Sequence, residues 1–352
     1  MAVLPPLPLA TFILLAPILY HFSSPPALSV VILYAHSASI IIWLTSIPEI
    51  RLLLQTVLGF SSGRALSHSP SEMYGLQHTL YNIDVSPQGY WFNMGLWDEK
   101  NMVFADGCRA LVHKVIDALG GQDKVRNTRV LDVGFGCGDS CFMMAEEYGC
   151  NVVGITIEDS QYEIAQGRLL KLTDTLNSKI NLLKGSATDL SKLLNPKDKF
   201  DIIVAVDCAY HFDTRWSFLR SSLGHLSHSG QIGLFDVAIQ PNAFNHPLKR
   251  WLFDKICSGG NIPVQNMVNA DEYEAKLQEI GYVDIHIERI DVERVYGGLA
   301  RFLKQHAANL TEAGLELSFG NYNRLITVAK VLDLLCWGKW IEPVVVTAKK
   351  PM

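Results

Sequence analysis

The residues with the clearest chemistry stand in the run Val130-Leu131-Asp132-Val133-Gly134-Phe135-Gly136-Cys137-Gly138-Asp139. An aliphatic stretch holding one carboxylate breaks into glycines at alternate positions, which reads as a buried strand turning tightly into a helix. Gly134, Gly136 and Gly138 let the backbone approach a ligand with no Cβ in the way. The helix that follows offers free N–H groups to an anionic group. That chemistry is the binding of a nucleotide-like cofactor. A second set lies at Asp207 to Phe212 (DCAYHF). There His211 is the side chain suited to general-base work, because imidazole titrates near neutral pH. The alternative for His211 is a structural histidine bonding a backbone group, and Tyr210 is a candidate for orienting a substrate.

These residues need a frame, and strand and helix patterns alternate around them. Asn101–Leu119 has helical periodicity and ends at Gly120-Gly121, a normal helix stop. Strands are expected at Arg129–Val133, Asn151–Ile157, Lys179–Lys184, Phe200–Val206 and Gln231–Ile239. Helices are expected between them at Ser140–Tyr148, Gln161–Leu176, Leu190–Leu194 and Thr214–Leu226. Such alternation predicts a parallel sheet covered by helices on both faces. Right-handed crossovers then gather the loops after the first, second and fourth strands at one edge, where ligands bind. Residues 241–270 break the rhythm and read as an insertion near the site. A helix at Asp271–Ile280, a strand at Tyr282–Ile290, a mostly helical stretch at 292–340 and a last strand at Val344–Lys349 follow, the last expected to be antiparallel.

A dinucleotide fingerprint wants glycine where this chain has Asp139, which weighs against NAD. The run from Asp132 to Gly138 instead resembles the first motif of class I S-adenosylmethionine-dependent methyltransferases. The resemblance continues downstream. Val153 to Gln161 (VGITIEDSQ) is similar to the second-strand segment of the subgroup holding cyclopropane-fatty-acid synthases, tocopherol C-methyltransferases and small-molecule N-methyltransferases. It implies that Thr156, Ile157 and Gln161 line the adenosine pocket. Gly185 to Leu190 resembles the segment touching adenine, which brings in Ser186 (where the family has Asp) and Ala187. Asp207 falls at the end of the fourth strand, where the family has its E-H-x motif. Tyr81 and Tyr90 to Trp97 (YWFNMGLW) resemble the aromatic segment that closes over the cofactor. The fold so implied is an α/β, Rossmann-like, seven-stranded and mostly parallel sheet with helices on both faces. Asp132 organises the cofactor site, and Glu158 or Asp159 caps a helix or reaches the ribose.

Ahead of this lies a stretch of another kind. No Asp, Glu, Lys or Arg precedes Glu49. Val3 to Phe22 and Ala27 to Ile47 are apolar runs, each long enough at about 1.5 Å per residue to cross about 30 Å of hydrocarbon. Pro17 would kink the first, so one or two transmembrane helices are expected, as a two-helix hairpin over 1–48. Arg51 and Arg64 place the remainder on the cytosolic side, with the endoplasmic reticulum the expected membrane. Ile50 to Phe60 reads as an interfacial or a buried helix. The organisation expected is an anchor at 1–48, an interfacial helix and aromatic covering segment at 49–100, and a catalytic domain at 101–352 with lid insertions at 241–270 and 292–340.

Charge and cysteine content bound the rest. A net charge of -5, with no basic run interleaved with aromatics, argues against nucleic acid. Seven cysteines without a C-x-x-C pair read as reduced thiols. The histidines show no metal spacing, and no metal is expected. The sequence thus predicts a membrane-associated methyltransferase using S-adenosylmethionine on an amphipathic or lipid-like small molecule. The alternatives are an O- or N-methyltransferase of a soluble specialised metabolite, and a non-catalytic cofactor-binding membrane protein.

Overall fold

In the first strand Val130, Leu131 and Val133 are all buried, although neighbouring strand residues point to opposite faces. A strand apolar on both sides requires cover on both sides. The computed structural model supplies it; the residues it describes are 89–241, 243–244, 247–312 and 319–352. The expected anchor at 1–48, the helix at 50–60 and Tyr81 lie outside them. Among the described residues no helix is long and apolar enough to cross a membrane.

The strands are β1 (Arg129–Val133), β2 (Asn151–Thr156), β3 (Ile180–Lys184), β4 (Phe200–Val206), β5 (Leu226–Ile239), β6 (Val283–Arg289) and β7 (Ile341–Lys349). They form one seven-stranded sheet in the order β3-β2-β1-β4-β5-β7-β6. The β3-β2, β2-β1, β1-β4 and β4-β5 pairs are parallel, while β7 runs antiparallel between β5 and β6. The seven-stranded, mostly parallel sheet and its antiparallel last strand are therefore as the sequence implies.

The helices are α1 (Phe104–Ala118), α2 (Asp139–Glu147), α3 (Asp159–Leu169), α4 (Arg215–His225), α5 (Pro247–Gly259), α6 (Ala270–Ile280), α7 (Gly298–Glu312) and α8 (Phe319–Gly338). One apolar cluster joins Val130, Ile202 and Val204 of the sheet to residues of α1, α2, α7 and α8. A second joins Leu131, Ile203 and Leu234 to residues of α4 and α6 on the other face.

Several boundaries differ from the sequence expectation: the first helix starts at Phe104 rather than Asn101, the helix expected at 190–194 is a tight turn at Ala187–Lys192, and three further differences have a visible cause. The helix expected over 161–176 ends at Leu169; Thr173 then starts a separate short helix, its hydroxyl accepting the Leu176 N–H. Strand β5 begins at Leu226 rather than Gln231, across a register shift opposite Phe200 and Ile202 and a left-handed Ser229 (φ 64°). Its polar Ser-His-Ser-Gly start reads locally as a turn. Strand β7 begins at Ile341 and runs through Pro343. The proline is accommodated because β6 pairs with β7 only as far as Arg289–Val344, so its missing N–H lies past the end of that ladder.

Candidate active site

A cavity of about 300 Å³ opens at the carboxyl ends of β1, β2 and β4. Its floor is the turn after β1. Gly134 has φ +78°, and a Cβ there would sit 2.6 Å from the Cys208 sulfur, so any other residue is strained. Gly136 also lines the cavity. Gly138 is not on the wall: at φ +98° it is the N-cap of α2, where a Cβ would strike the Phe142 ring at 2.7 Å. Asp132 lines the floor and is buried; it accepts the Ser140 hydroxyl at 2.5 Å and the Cys141 thiol at 3.2 Å. Burial pushes its carboxyl up to about 6.

The turn after β2 supplies Thr156, Ile157, Glu158 and Gln161 to the wall. Thr156 donates to the Gln161 side-chain oxygen at 3.3 Å, which fixes that amide. Ile157 is half-exposed at the rim. The two adjacent acids separate here: Glu158 is buried on the cavity wall, whereas Asp159 points outward to Lys184 at 2.5 Å. Ser186 and Ala187 line the wall after β3. The Ser186 hydroxyl is engaged within its own turn, by the Thr188 N–H at 3.3 Å and the Thr188 hydroxyl at 2.8 Å.

Residues 89–98 cross the cavity as a strap without regular secondary structure, and carboxylates hold it from both sides. The Tyr90 N–H donates to Asp139 at 3.1 Å, and the Met94 N–H donates to Asp207 at 2.6 Å. Asp139 is itself clamped by both guanidinium nitrogens of Arg168, at 2.6 and 2.7 Å, and that guanidinium lies 5.1 Å from the Tyr90 ring centre. Beyond the cavity, the Trp97 N–H donates to the Arg294 carbonyl and Arg294 grips Asp98 with two bonds. Arg294 lies in the π-helical turn Glu293–Gly297 that leads into α7. The predicted lid stretch 292–340 is thus a π turn and the helices α7 and α8, which it joins to the strap.

The far wall is the loop after β4. Asp207 adopts φ 62° and accepts the Tyr210 hydroxyl at 2.9 Å with its second oxygen; burial pushes its carboxyl up to about 7. Tyr210 and His211 both line the cavity, their ring centres 4.2 Å apart. The loop is held from below by Asn266, in the predicted insertion. Its amide donates to the carbonyls of Tyr210 (3.0 Å) and Phe212 (2.7 Å), which flank His211, and its oxygen accepts the Arg215 N–H at 3.1 Å. Arg215 is fully buried, donates to Asp236 at 2.7 Å and to the Asn266 carbonyl, and Tyr273 donates to the same Asp236 oxygen at 2.7 Å.

The electrostatics favour a cationic ligand. Among the described residues, the cavity wall carries Asp132, Asp139, Glu158, Asp207 and Asp213 and neither Lys nor Arg. A dinucleotide's pyrophosphate would add two negative charges beside these carboxyl groups. A ligand bearing a sulfonium and an ammonium fits instead, since each buried carboxyl gains from a nearby positive charge. The glycine turn and the α2 N-terminus remain for that ligand's single carboxylate.

The sequence-derived candidates Tyr90, Asp132, Gly134, Gly136, Thr156, Ile157, Gln161, Ser186, Ala187, Asp207, Tyr210 and His211 all reach this one cavity. Gly138 stands behind it. Phe92, Asn93 and Met94 of the strap and Cys208 also line it, and Arg168 and Asn266 hold it together without lining it. The paired acids Glu158-Asp159 were the one local signal for Glu158, because a β2-terminal carboxylate suits a ribose.

Comparison with known proteins agrees with this geometry. A profile of the family described as mycolic acid cyclopropane synthetase matches residues 71–312. Erythromycin 3''-O-methyltransferase of Saccharopolyspora erythraea is 26% identical over 228 residues, covering 63% of this chain and 72% of that protein. The structure of the cyclopropane synthase MmaA2 from Mycobacterium tuberculosis superimposes with a TM-score of 0.60 at 17% identity, covering 78% of this chain and 97% of that one. Haemonchus contortus phosphoethanolamine N-methyltransferase 2, in complex with phosphomonomethylethanolamine and S-adenosylhomocysteine, gives 0.57 at 18% identity. That superposition covers 72% of this chain and 55% of that one, so the chain spans about half of that protein's length.

Proposed function

The chain belongs to the mycolic acid cyclopropane synthetase family and is an S-adenosylmethionine-dependent methyltransferase, and on that footing we propose that its acceptor is an amphipathic, lipid-like small molecule met at a membrane. The observation that carries the membrane half is the absence of any charged residue before Glu49. The insertions at 241–270 and 292–340 support the acceptor half, as apolar cover for a greasy substrate beside the cavity. In this reading residues 1–48 anchor the chain in the endoplasmic reticulum, residues 49–100 carry the interfacial helix and the strap, and the domain at 101–352 faces the cytosol.

When bound, S-adenosylmethionine supplies an electrophilic methyl group on a cationic sulfur. The protein's part is mainly alignment in a dry pocket, which contributes up to about 7–11 kcal/mol to such transfers. Backbone N–H groups of the Gly134–Gly136 turn receive a carboxylate, and Glu158 receives ribose hydroxyls. The strap from Tyr90 to Met94 excludes water, pinned by Asp139 and Asp207. Tyr210 is held by Asp207 and orients the acceptor, and an imidazole nitrogen of His211 takes the acceptor's proton.

A second reading, an O- or N-methyltransferase of a soluble specialised metabolite, is favoured by the likeness to erythromycin 3''-O-methyltransferase. Mass spectrometry of lipid extracts incubated with and without the protein decides between them. The lipid reading expects a lipid species heavier by one CH₂ group, and a lipid pool that stays unchanged across the extract panel refutes it. Deleting residues 1–60 separates the readings independently: a soluble-substrate enzyme keeps its kcat/KM, while a lipid enzyme loses it on membranes.

A further inference from the structure

Exposed large apolar side chains are unevenly spread over this fold. Tyr90 and Ile157 stand at the cavity rim, at the carboxyl edge of the sheet. Val103 joins them, because α1 begins against the strap, where the Leu96 N–H donates to the Gly107 carbonyl at 2.8 Å. Val264 is one turn from Asn266, which holds the loop after β4 at the same edge.

The two exposed tryptophans complete the set. Trp251 is 52% exposed on α5, and Trp337 is 82% exposed in the last turn of α8. They flank one aromatic contact, Phe253 against Trp340 with ring centres 6.4 Å apart, next to where β7 starts opposite Ile239 of β5. Both therefore sit at the carboxyl edge. The opposite edge has only Leu170, Val283 and the terminal Met352 of this class among the described residues.

Beside the two tryptophans, away from the acidic cavity wall, the charge is locally positive. In a chain of net charge -5, Lys249 and Lys255 are exposed beside Trp251, and Lys339 is exposed two residues from Trp337. The acid on α5, Asp254, is paired with Arg250 at 2.9 Å. Exposed indoles beside lysines that pair with no acid among the described residues suit the headgroup level of an anionic bilayer, where indole rings partition and each lysine gains from the surface potential.

We propose that the carboxyl edge of the sheet, centred on Trp251 and Trp337, docks on an anionic lipid bilayer, so that the cavity opens onto the membrane surface. This rests on the membrane location proposed above and not on the identity of the acceptor. The edge places the rim residues Tyr90 and Ile157 against the bilayer, giving a lipid-soluble molecule a route to His211 that avoids water.

The test uses the full chain with vesicles of brominated phosphatidylcholine and phosphatidylglycerol, and reads quenching of tryptophan fluorescence. The Trp251→Phe/Trp337→Phe variant is expected to lose about half of the quenching or more, with Trp43 of the apolar N-terminal run as the reference retained in both proteins. Lys249→Glu/Lys255→Glu is expected to abolish the extra quenching that phosphatidylglycerol gives over phosphatidylcholine alone. Quenching unchanged in the double Phe variant overturns the proposal. A dimer in sedimentation that Trp251→Asp/Trp337→Asp returns to monomer, without such quenching, also overturns it and gives the face to a second copy. Quenching of Trp251 and Trp337 in a protein that methylates no lipid removes the acceptor reading and leaves the docking edge standing. Lipid methylation by a protein whose double Phe variant is quenched like the wild type removes the docking edge alone.

Discussion

The two halves of the cavity are built in different ways. On the cofactor side, the wall is made by short turns directly after β1, β2 and β3, and apart from the bonds of Asp139 to the strap and Arg168 its bonds join near neighbours such as Asp132 with Ser140 and Thr156 with Gln161. On the side proposed for the acceptor, His211 is placed by residues remote in sequence: Asn266 reaches Tyr210 across 56 positions and Met94 reaches Asp207 across 113. A wall of local turns is dictated by short motifs and tolerates little variation. A wall of long-range contacts depends on where insertions happen to pack, which lets one fold present different acceptor pockets over a fixed cofactor floor.

That contrast can be broken experimentally, and the buried ion pair is the strongest lever. Arg215→Met strands Asp236 without its cation and is expected to cost about 3–5 kcal/mol in urea unfolding, with Arg215→Met/Asp236→Leu restoring most of it. On the cofactor side, Gly134→Ala forces a Cβ against Cys208 at a left-handed φ. Strain of about 1–3 kcal/mol is expected there, weakening S-adenosylmethionine binding by about ten- to a hundred-fold in calorimetry. Asn266→Ala should leave that affinity unchanged while lowering kcat and costing about 1–3 kcal/mol, since a buried and a partly buried carbonyl lose their donor. Equal loss of cofactor affinity in this variant would erase the distinction between the halves.

Titration sharpens the same contrast without altering the fold. Burial raises the Asp132 carboxyl from 3.8 to about 6 and that of Asp207 from 3.8 to about 7, so the folded protein holds protons the unfolded chain has released. Ligand-free stability is therefore full below the ordinary carboxylate value and falls as pH rises through about 6 and 7. Denaturation series across this window should show that decline, flattened in Asp207→Asn and reduced by the cationic cofactor. The smallest effect expected is at the strap's outer end. Arg294→Ala removes a half-exposed pair with Asp98 and should cost about 0–1 kcal/mol in thermal unfolding, less still in salt.

Much of the frame was legible because its signals are local. Apolar runs closed by glycine mark β1 and its turn, and the strand and helix periods alternate cleanly as far as β4. The limits were equally physical. Leu226 to Gly230 looks like a turn because its polar residues pair through a register shift that only the neighbouring β4 reveals. Asp139 reads as a missing glycine, yet its carboxylate is what clamps Arg168 and receives the strap. Glu158 and Asp159 are indistinguishable by type, and only the direction each takes at the start of α3 separates cavity wall from surface. Nothing in the residues around Asn266 announces a partner at Tyr210, since that contact is created by packing.

The antiparallel β7 has a consequence for synthesis. It fills the gap between β5 and β6, so until residues 341–349 leave the ribosome both neighbours present open edges to other nascent chains. The sheet closes only once those residues have emerged, and translation arrested before Ile341 would yield an aggregation-prone chain whose cofactor turn is already fully encoded.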